Sequence, residues 1–317
     1  MQRILVTGGA GFIGSNFVRH VMNHTKYSVI NLDKLTYAGN INNIRDMRDG
    51  RRHKFVRGDI RNRKVVRSLA KKVDTVVNFA AESHVDRSIR DSQVFFETNV
   101  LGTHTLLDAC REFDLRFQQI STDEVYGSRE RGSCKETDVL HPSNPYSASK
   151  AAADLLVNAY HTTYGLHVTV TRSTNNYGPN QHPEKFIPRL ITNALRKKPA
   201  PIYGSGMNVR DWIFVDDNCR AIRLILEKGA TGEVYNIAGR NQKRNIDVAR
   251  EILRRLSIPM TMIRFVADRP GHDFRYSLNC EKIRQLGWKP RVAFEEGLQV
   301  TIDWYASNRW WWSTLVE

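Results

Sequence analysis

Thr7-Gly8-Gly9-Ala10-Gly11-Phe12-Ile13-Gly14 decides the fold. The apolar run Arg3–Thr7 before it reads as a strand, and the segment from Gly14 to Asn23 reads as a helix. Gly8, Gly11 and Gly14 punctuate the turn between them, one residue wider at the first gap than the usual dinucleotide fingerprint. Glycines let such a turn close and let main-chain N–H groups approach a pyrophosphate. The helix N-terminus adds positive potential. Asp33 closes the second strand, Ser28–Leu32, about 20 residues on, where a carboxylate accepts hydrogen bonds from an adenosine ribose. It also repels a 2′-phosphate, so NAD is expected rather than NADP.

Working outward, Lys54–Val56, Thr75–Phe79, Arg116–Ser121 and His167–Arg172 read as further strands. Lys64–Lys71, Val94–Glu112 and Ala148–Tyr164 read as helices. Repeated strand–helix alternation implies an α/β fold, a parallel sheet with helices on both faces. Asn176-Tyr177-Gly178-Pro179 is a turn signal. Beyond it come two shorter strand–helix pairs, Arg210–Val215 with Asp217–Leu226 and Glu233–Ile237 with Ile246–Leu256. A cofactor domain over 1–175 and a smaller, closely packed lobe over 176–317 are expected, with ligands in the cleft between them.

Composition bounds the partners. The 317 residues are 41% apolar and 26% charged, which excludes a disordered or collagenous chain. No run of about 18 apolar residues marks a membrane span. The N-terminus enters a strand at once, so no signal peptide is expected. Cys110, Cys134, Cys219 and Cys280 are scattered and fit a reducing cytoplasm. The ten histidines are dispersed, and no metal site is expected. The net charge of +15 is compatible with nucleic acid, an anionic membrane, a phosphorylated small molecule, or only a basic composition general to the source organism. Residues 45–72 hold twelve Lys and Arg against three Asp and Glu. No aromatic stacking pattern interleaves them, so a solvated basic face is expected there rather than a nucleic-acid site.

Tyr146-Ser147-Ala148-Ser149-Lys150 begins the long helical segment. Positions i and i+4 share a helix face, so Tyr146 and Lys150 can act together. A neighbouring ammonium and an oxidised nicotinamide both favour phenolate. Tyr146 would then take an alcohol proton while hydride leaves the same carbon, and Lys150 would also hold the nicotinamide ribose.

The glycine turn and the Tyr-x-x-x-Lys pair together resemble the extended short-chain dehydrogenase/reductase superfamily over essentially the whole chain. The resemblance implies a Rossmann-type doubly wound sheet with a C-terminal substrate lobe. It extends the expected cofactor contacts from Gly8, Gly11 and Gly14 to Phe12 and Ile13, to Lys34, Leu35 and Thr36 beside Asp33, and to Asp59 and Ile60. It adds Ala80, Ala81, Ser83, Thr98 and Asn176.

Strand five runs into Ser121-Thr122-Asp123-Glu124-Val125-Tyr126-Gly127. Simple epimerases of the superfamily carry small or hydroxyl residues after the threonine; this chain has two adjacent carboxyls. Two carboxyls facing one cleft suit an acid and a base with separated proton affinities. A solvated acidic turn is the alternative. Thr122-Asp123-Glu124 is similar to the motif of the dTDP-glucose 4,6-dehydratase family. Leu32–Asn40, Ala80–Ser88, Asn175–Pro179, Pro183–Lys185, Tyr203–Gly206, Arg210–Trp212 and Arg269–Asp273 also match that family. The resemblance implies that Thr122 binds the sugar 4-oxygen, Glu124 removes the C5 proton and Asp123 protonates the C6 hydroxyl that leaves as water. It implies that Arg210 meets the diphosphate and Arg269 and His272 the nucleotide end. Ser83, Asn175, Lys185, Phe186, Pro201, Ile202, Tyr203 and Asn245 are implied at other substrate positions. His84 is either a substrate contact or a hydrogen-bonded structural histidine.

Asn62 sits where an acidic residue is usual in that family, and Arg172-Ser173-Thr174 replaces a cysteine-containing variant. A UDP-sugar 4-epimerase or a decarboxylase is the same-fold alternative. A non-catalytic nucleic-acid-binding or regulatory protein is the remote one. Relatives imply a homodimer through Val94–Glu112 and Ala148–Tyr164. The aromatic tail Trp310-Trp311-Trp312 caps the core or packs on a neighbour.

Overall fold

A computed structural model describes residues 2–47 and 50–316. Arg48 and Asp49, in the basic stretch, lie outside the described residues. Seven parallel strands form the main sheet: β1 (Arg3–Thr7), β2 (Ser28–Asp33), β3 (His53–Arg57), β4 (Thr75–Asn78), β5 (Arg116–Thr122), β6 (Val168–Ser173) and β10 (Glu233–Ile237). Their order is β10-β6-β5-β4-β1-β2-β3. The order reverses at β1, whose neighbours are β4 and β2, and the crevice outside that switch point is where ligands bind in such sheets.

Alternation along β1 explains both cores. Ile4 and Val6 face one side and join Phe17, Val18, Val77 and Ile222. Leu5 faces the other and joins Ile30, Val76, Leu106 and Phe117. A sheet buried on both faces needs such unbroken apolar strands.

The smaller lobe holds β7 (Asn175–Tyr177), β8 (Ala200–Tyr203), β9 (Val209–Phe214), β11 (Gln242–Arg244) and β12 (Ile263–Val266). β7 pairs with β9, β9 with β11, and β8 with β12. A third core unites Tyr177, Leu190, Trp212, Ile252, Phe294 and Trp311. The split at 175/176 does not divide the fold cleanly. β10 adds to the main sheet beside β6, and helix Val215–Lys228 packs Cys219, Ile222 and Ile225 against helix Phe12–His24. A seventh strand covers the open edge of β6, so the chain must return from the small lobe to supply it.

Two helices differ instructively from their sequence patterns. Val94–Glu112 is a helix in three parts, with a π-helical stretch Phe96–Gly102 between Gln93–Phe95 and Thr103–Glu112. The long helix starts at Pro145, three residues before the periodic pattern. Asn144 caps it by accepting from Ser147 N at 3.0 Å, and Pro145 occupies the first turn.

Candidate active site

The cleft opens at the carboxyl ends of β1, β4 and β5. Its floor is tied together below the surface. Thr7 Oγ1 donates to Asn78 Oδ1 at 2.6 Å, and Asn78 Nδ2 donates to Gln119 Oε1 at 2.9 Å. These bonds brace adjacent strands where their ladders end.

Above this brace, Gly8 has φ +68° and a side chain there would bring Cβ within 2.6 Å of Ala80 N. A Cβ on Gly14 would run into the Gly8 carbonyl. The glycines therefore do steric work at two positions, closing the turn on β4 and seating the helix on the turn. Asp33 holds the turn from the next strand: Oδ2 accepts from Ala10 N at 2.9 Å and Oδ1 from Leu35 N at 2.8 Å. Leu35, at φ +58°, supports Asp33 and does not line the cleft. Gly8, Gly11, Phe12, Ile13, Gly14, Asp33, Lys34, Thr36, Asp59, Ile60, Ala80, Ala81, Ser83, Thr98 and Asn176 all do. Asp59 is bound by Lys34 at 3.0 Å and by Arg61, and these cations hold its carboxyl down to about 2 against the cost of burial.

Thr122, Asp123, Glu124, Tyr146 and Lys150 meet at the centre of the cleft. The Thr122 hydroxyl accepts from Glu124 N at 3.3 Å and so caps the short turn Asp123–Tyr126. That cap turns two consecutive carboxyls inward. Asp123 is buried and Glu124 half-buried, and Asp123 Oδ2 and Glu124 Oε2 are buried atoms with no hydrogen-bond partner within the chain. Burial raises the proton affinity of both. Asp123 is pushed up further by the Glu124 charge, whereas Glu124 is opposed by Arg269, Arg210 and Lys185. Of the two, Glu124 is therefore the member better able to carry charge.

Tyr146 is packed against Val85 and Phe95. Burial and the Glu124 carboxyl raise its phenol well above the ordinary value, opposed by a hydrogen bond with Thr122. Lys150 shares the helix face with Tyr146 and lines the cleft beside it. Its ammonium is turned to the main chain and donates to Ile120 O at 2.6 Å, and burial brings its own value down to about 8.

A 4,6-dehydratase family model, described as GDP-mannose 4,6 dehydratase, matches residues 5–301. The chain belongs to this family. Among its relatives, the low-salt glycan biosynthesis protein Agl12 of Haloferax volcanii is 51% identical over 96% of this chain and 99% of its own. A dTDP-glucose 4,6-dehydratase of Streptomyces niveus is also 51% identical, over 99% of this chain and 96% of its own. The solved structure of DesIV, a dTDP-glucose 4,6-dehydratase from Streptomyces venezuelae with NAD and TYD bound, is 49% identical. It superposes with a TM-score of 0.98 over 99% of this chain and 100% of its own.

In this 4,6-dehydratase chain only some of the side chains expected to meet the substrate line the cleft; His84, Phe186, Pro201, Ile202, Tyr203, Arg210, Asn245, Arg269 and His272 lie outside its lining. Asn175 and Lys185 line it directly, and Lys185 Nζ donates to Ser83 O at 2.6 Å. Arg210 is buried, stacks 4.4 Å from the Tyr276 ring centroid and gives Nη2 to Asp273 O at 2.8 Å. Among the described residues, no carboxylate lies within ion-pair distance of it. Tyr203 OH donates to Asp86 Oδ2 at 3.0 Å, and Arg269 reaches Asp86 Oδ1 at 3.5 Å. His272 stands edge-on to Tyr203, with Nδ1 2.6 Å from Asp268 Oδ1. Asn245 opens helix Asn245–Arg255 with a buried, unpartnered Oδ1. Phe186 stacks on Trp212. Pro201 is partly buried in β8. Ile202 turns its side chain wholly into the core, so any ligand contact it makes is through its main chain. His84 caps helix Val85–Arg90 by accepting from Arg87 N, the structural alternative left open by the sequence.

Three contributors escaped the motif reading. Asp86 lies inside a matched segment, but only the fold shows that it holds both Tyr203 and Arg269. Asn99, on the π-helical stretch, clasps Glu82 through N–H and C=O and donates to Ser149 Oγ at 2.8 Å. Glu82 itself lines the cleft. The departure at Asn62 is an N-cap, accepting from Val65 N at 3.2 Å. Arg172, the other departure, pairs with buried Asp154 at 2.9 Å. Among the described residues, no group of three His, Cys, Asp or Glu is placed to hold a metal, and no helix is long and apolar enough to cross a membrane.

Proposed function

We propose that this chain is a dTDP-glucose 4,6-dehydratase, an NAD-dependent hydro-lyase that yields dTDP-4-keto-6-deoxyglucose. The observation that carries the reading is the adjacent Asp123–Glu124 pair beside Tyr146, both raised in proton affinity, with cations opposing the rise at Glu124 and one unpartnered oxygen each. An epimerase has no use for a second acid there.

The main-chain turn at Gly8–Gly14, too tight for a Cβ at Gly8 or Gly14, and the Asp33 carboxylate fit a dinucleotide. NAD, when bound there, supplies the hydride acceptor for C4, the donor that returns it to C6, and a positive charge beside Tyr146. Tyr146, as the phenolate that a positively charged nicotinamide would favour, takes the proton of the 4-hydroxyl, with Thr122 holding the 4-oxygen, and that proton passes on through solvent to reset Asp123 after turnover. Glu124 removes the C5 proton that the neighbouring ketone acidifies. Asp123, kept protonated by burial, gives its proton to the 6-hydroxyl, which leaves as water. Glu124 then returns a proton to C5. Arg210 is a buried cation whose partners in the chain are neutral carbonyls. A diphosphate would supply the missing anion with paired hydrogen bonds.

A homodimer belongs to the same reading. Phe96, Leu101, Leu155 and Tyr164 are exposed on the two helical segments named for it. A monomer in light scattering at micromolar concentration would contradict that part. A cytoplasmic location is supported by four unpaired, buried cysteines.

The test is incubation with dTDP-, UDP- and GDP-glucose, read by product mass. Loss of one water from dTDP-glucose with no net accumulation of reduced cofactor is expected. Inversion at C4 without loss of water would place the chain with the epimerases instead.

A further inference from the structure

The aromatic tail has no place in the chemistry above, yet it reaches the cofactor turn. Trp311 is buried, and its indole Nε1 donates to Asn43 Oδ1 at 2.8 Å, across 268 residues of chain. Asn43 is buried as well. Its Nδ2 donates to the carbonyl of Ala10 at 2.8 Å, inside the glycine turn. Asn40 N donates to the same carbonyl at 3.0 Å. The second lone pair of Asn43 Oδ1 is taken by Asn180 Nδ2 at 3.2 Å, on the loop after Tyr177-Gly178-Pro179. One amide therefore joins the C-terminal segment, the small-lobe loop and the turn.

A second tie runs parallel to the first. Tyr305 OH donates to Gln181 O, and Gln181 Nε2 donates to Asn176 O at 2.9 Å. Gln181 and Asn176 both line the cleft. Trp312 Nε1 donates to Tyr305 O at 2.8 Å, which fixes the two aromatic segments to each other.

The bonds at Ala10 are placed to matter. Its N–H is held by Asp33 and its C=O by Asn43 and Asn40. The peptide plane between Ala10 and Gly11 cannot then rotate freely, and its Gly11 N–H donates to Gly8 O at 3.1 Å, closing the turn that leads into helix Phe12–His24. A preformed turn loses less freedom when an anion binds, and the saving appears mainly as slower release.

We propose that Asn43 and Trp311 are positioning residues of the cofactor site, through which the C-terminal aromatic segment sets how long the dinucleotide stays bound. The inference rests on the NAD reading above. It assigns the tail a job in cofactor retention rather than in core capping alone.

The experiment uses the full chain loaded with NAD, as wild type, Asn43→Asp and Trp311→Phe. Asn43→Asp keeps an acceptor for Trp311 and Asn180 but turns an acceptor toward the Ala10 carbonyl. Trp311→Phe keeps most of the ring packing and removes only the N–H donor. NAD release is followed by rapid dilution and cofactor fluorescence, dTDP affinity by calorimetry, and unfolding by thermal melt. About tenfold faster NAD release is expected for Asn43→Asp and about threefold for Trp311→Phe, with dTDP affinity unchanged. Trp311→Phe decides the matter if Asn43→Asp does not fold. Unchanged NAD release in the folded variants overturns the inference. So does equal weakening toward NAD and dTDP, which marks general loosening. A wild-type chain that takes up no NAD sinks the cofactor reading itself, and the inference with it.

Discussion

The two walls of the cleft are built on different principles. The cofactor wall is main chain, shaped by Gly8 and Gly14 and pinned by Asp33 from beneath. The proposed substrate wall is side chains drawn from β8, β9 and the segment after β12, and each is already bonded within the chain: Tyr203 and Arg269 to Asp86, Arg210 to carbonyls, His272 to Asp268. The first kind of wall fails by steric intrusion and the second by loss of a partner. Between them stand Tyr146, Asp123 and Glu124, to which the proposed mechanism gives the chemistry.

The largest effect is expected at that seam. Tyr146→Phe removes the group that takes the 4-hydroxyl proton while leaving both walls whole. A fall in kcat of about 10³-fold is expected, with NAD and dTDP binding retained. Retention of more than a tenth of wild-type activity would remove Tyr146 from the mechanism. Gly14→Ala breaks the cofactor wall alone. The added methyl meets the Gly8 carbonyl, so the turn or the helix must shift. NAD affinity should fall by about 10²-fold, equivalent to roughly 3 kcal/mol of strain, within the range for overpacking. Affinity for dTDP, measured by calorimetry, should change little. If both ligands weaken together, the walls are not independent.

The same contrast explains what could be read from the sequence. The cofactor wall is contiguous: one eight-residue segment carries its shape, and the strand ends that complete it follow the strand–helix rhythm. Thr122-Asp123-Glu124 and Tyr146/Lys150 were legible because each group is local. The substrate wall is assembled from residues 86, 203, 210, 269 and 272, which only the folded chain brings together. Asp86 carries no local signal, since an Asp in the first turn of a helix is ordinary. β10 was legible as a strand but not as a member of the main sheet, because pairing with β6 is a long-range fact. The π-helical stretch at Phe96–Gly102 leaves the apolar pattern helical, so its effect on Asn99 was hidden. The direction of the Lys150 ammonium depends on the Ile120 carbonyl, which spacing does not encode.

Asp86→Asn tests the substrate wall. The neutral amide can still accept from Tyr203, but it loses the charge that attracts Arg269. A charge-assisted contact of this kind is worth about 1.5 kcal/mol, so a rise in KM of about tenfold is expected, with kcat and NAD content close to wild type. A matching fall in kcat would mean that Asp86 also shapes the catalytic seam.

The smallest effect concerns stability rather than turnover, at the cap of helix Val85–Arg90. Burial, followed by the Lys185 charge, pushes His84 from 6.5 down to about 4. The folded chain therefore binds fewer protons at this site than the unfolded chain between those values. By linkage, the neutral cap contributes fully above pH 6.5, and its contribution fades as pH falls toward about 4. One such group adds at most about 1.4 kcal/mol per pH unit to the acid slope. Asn is a good helix cap and does not titrate, so His84→Asn should keep neutral-pH stability and flatten that slope in urea melts. Glu184, 3.9 Å from His84 Nε2, works in the opposite direction by favouring the charged ring. Glu184→Gln should therefore steepen the same acid slope, and the two variants must move it in opposite senses. If His84→Asn leaves the slope unchanged, the acid sensitivity lies elsewhere and His84 is free to serve as a ligand instead of a cap.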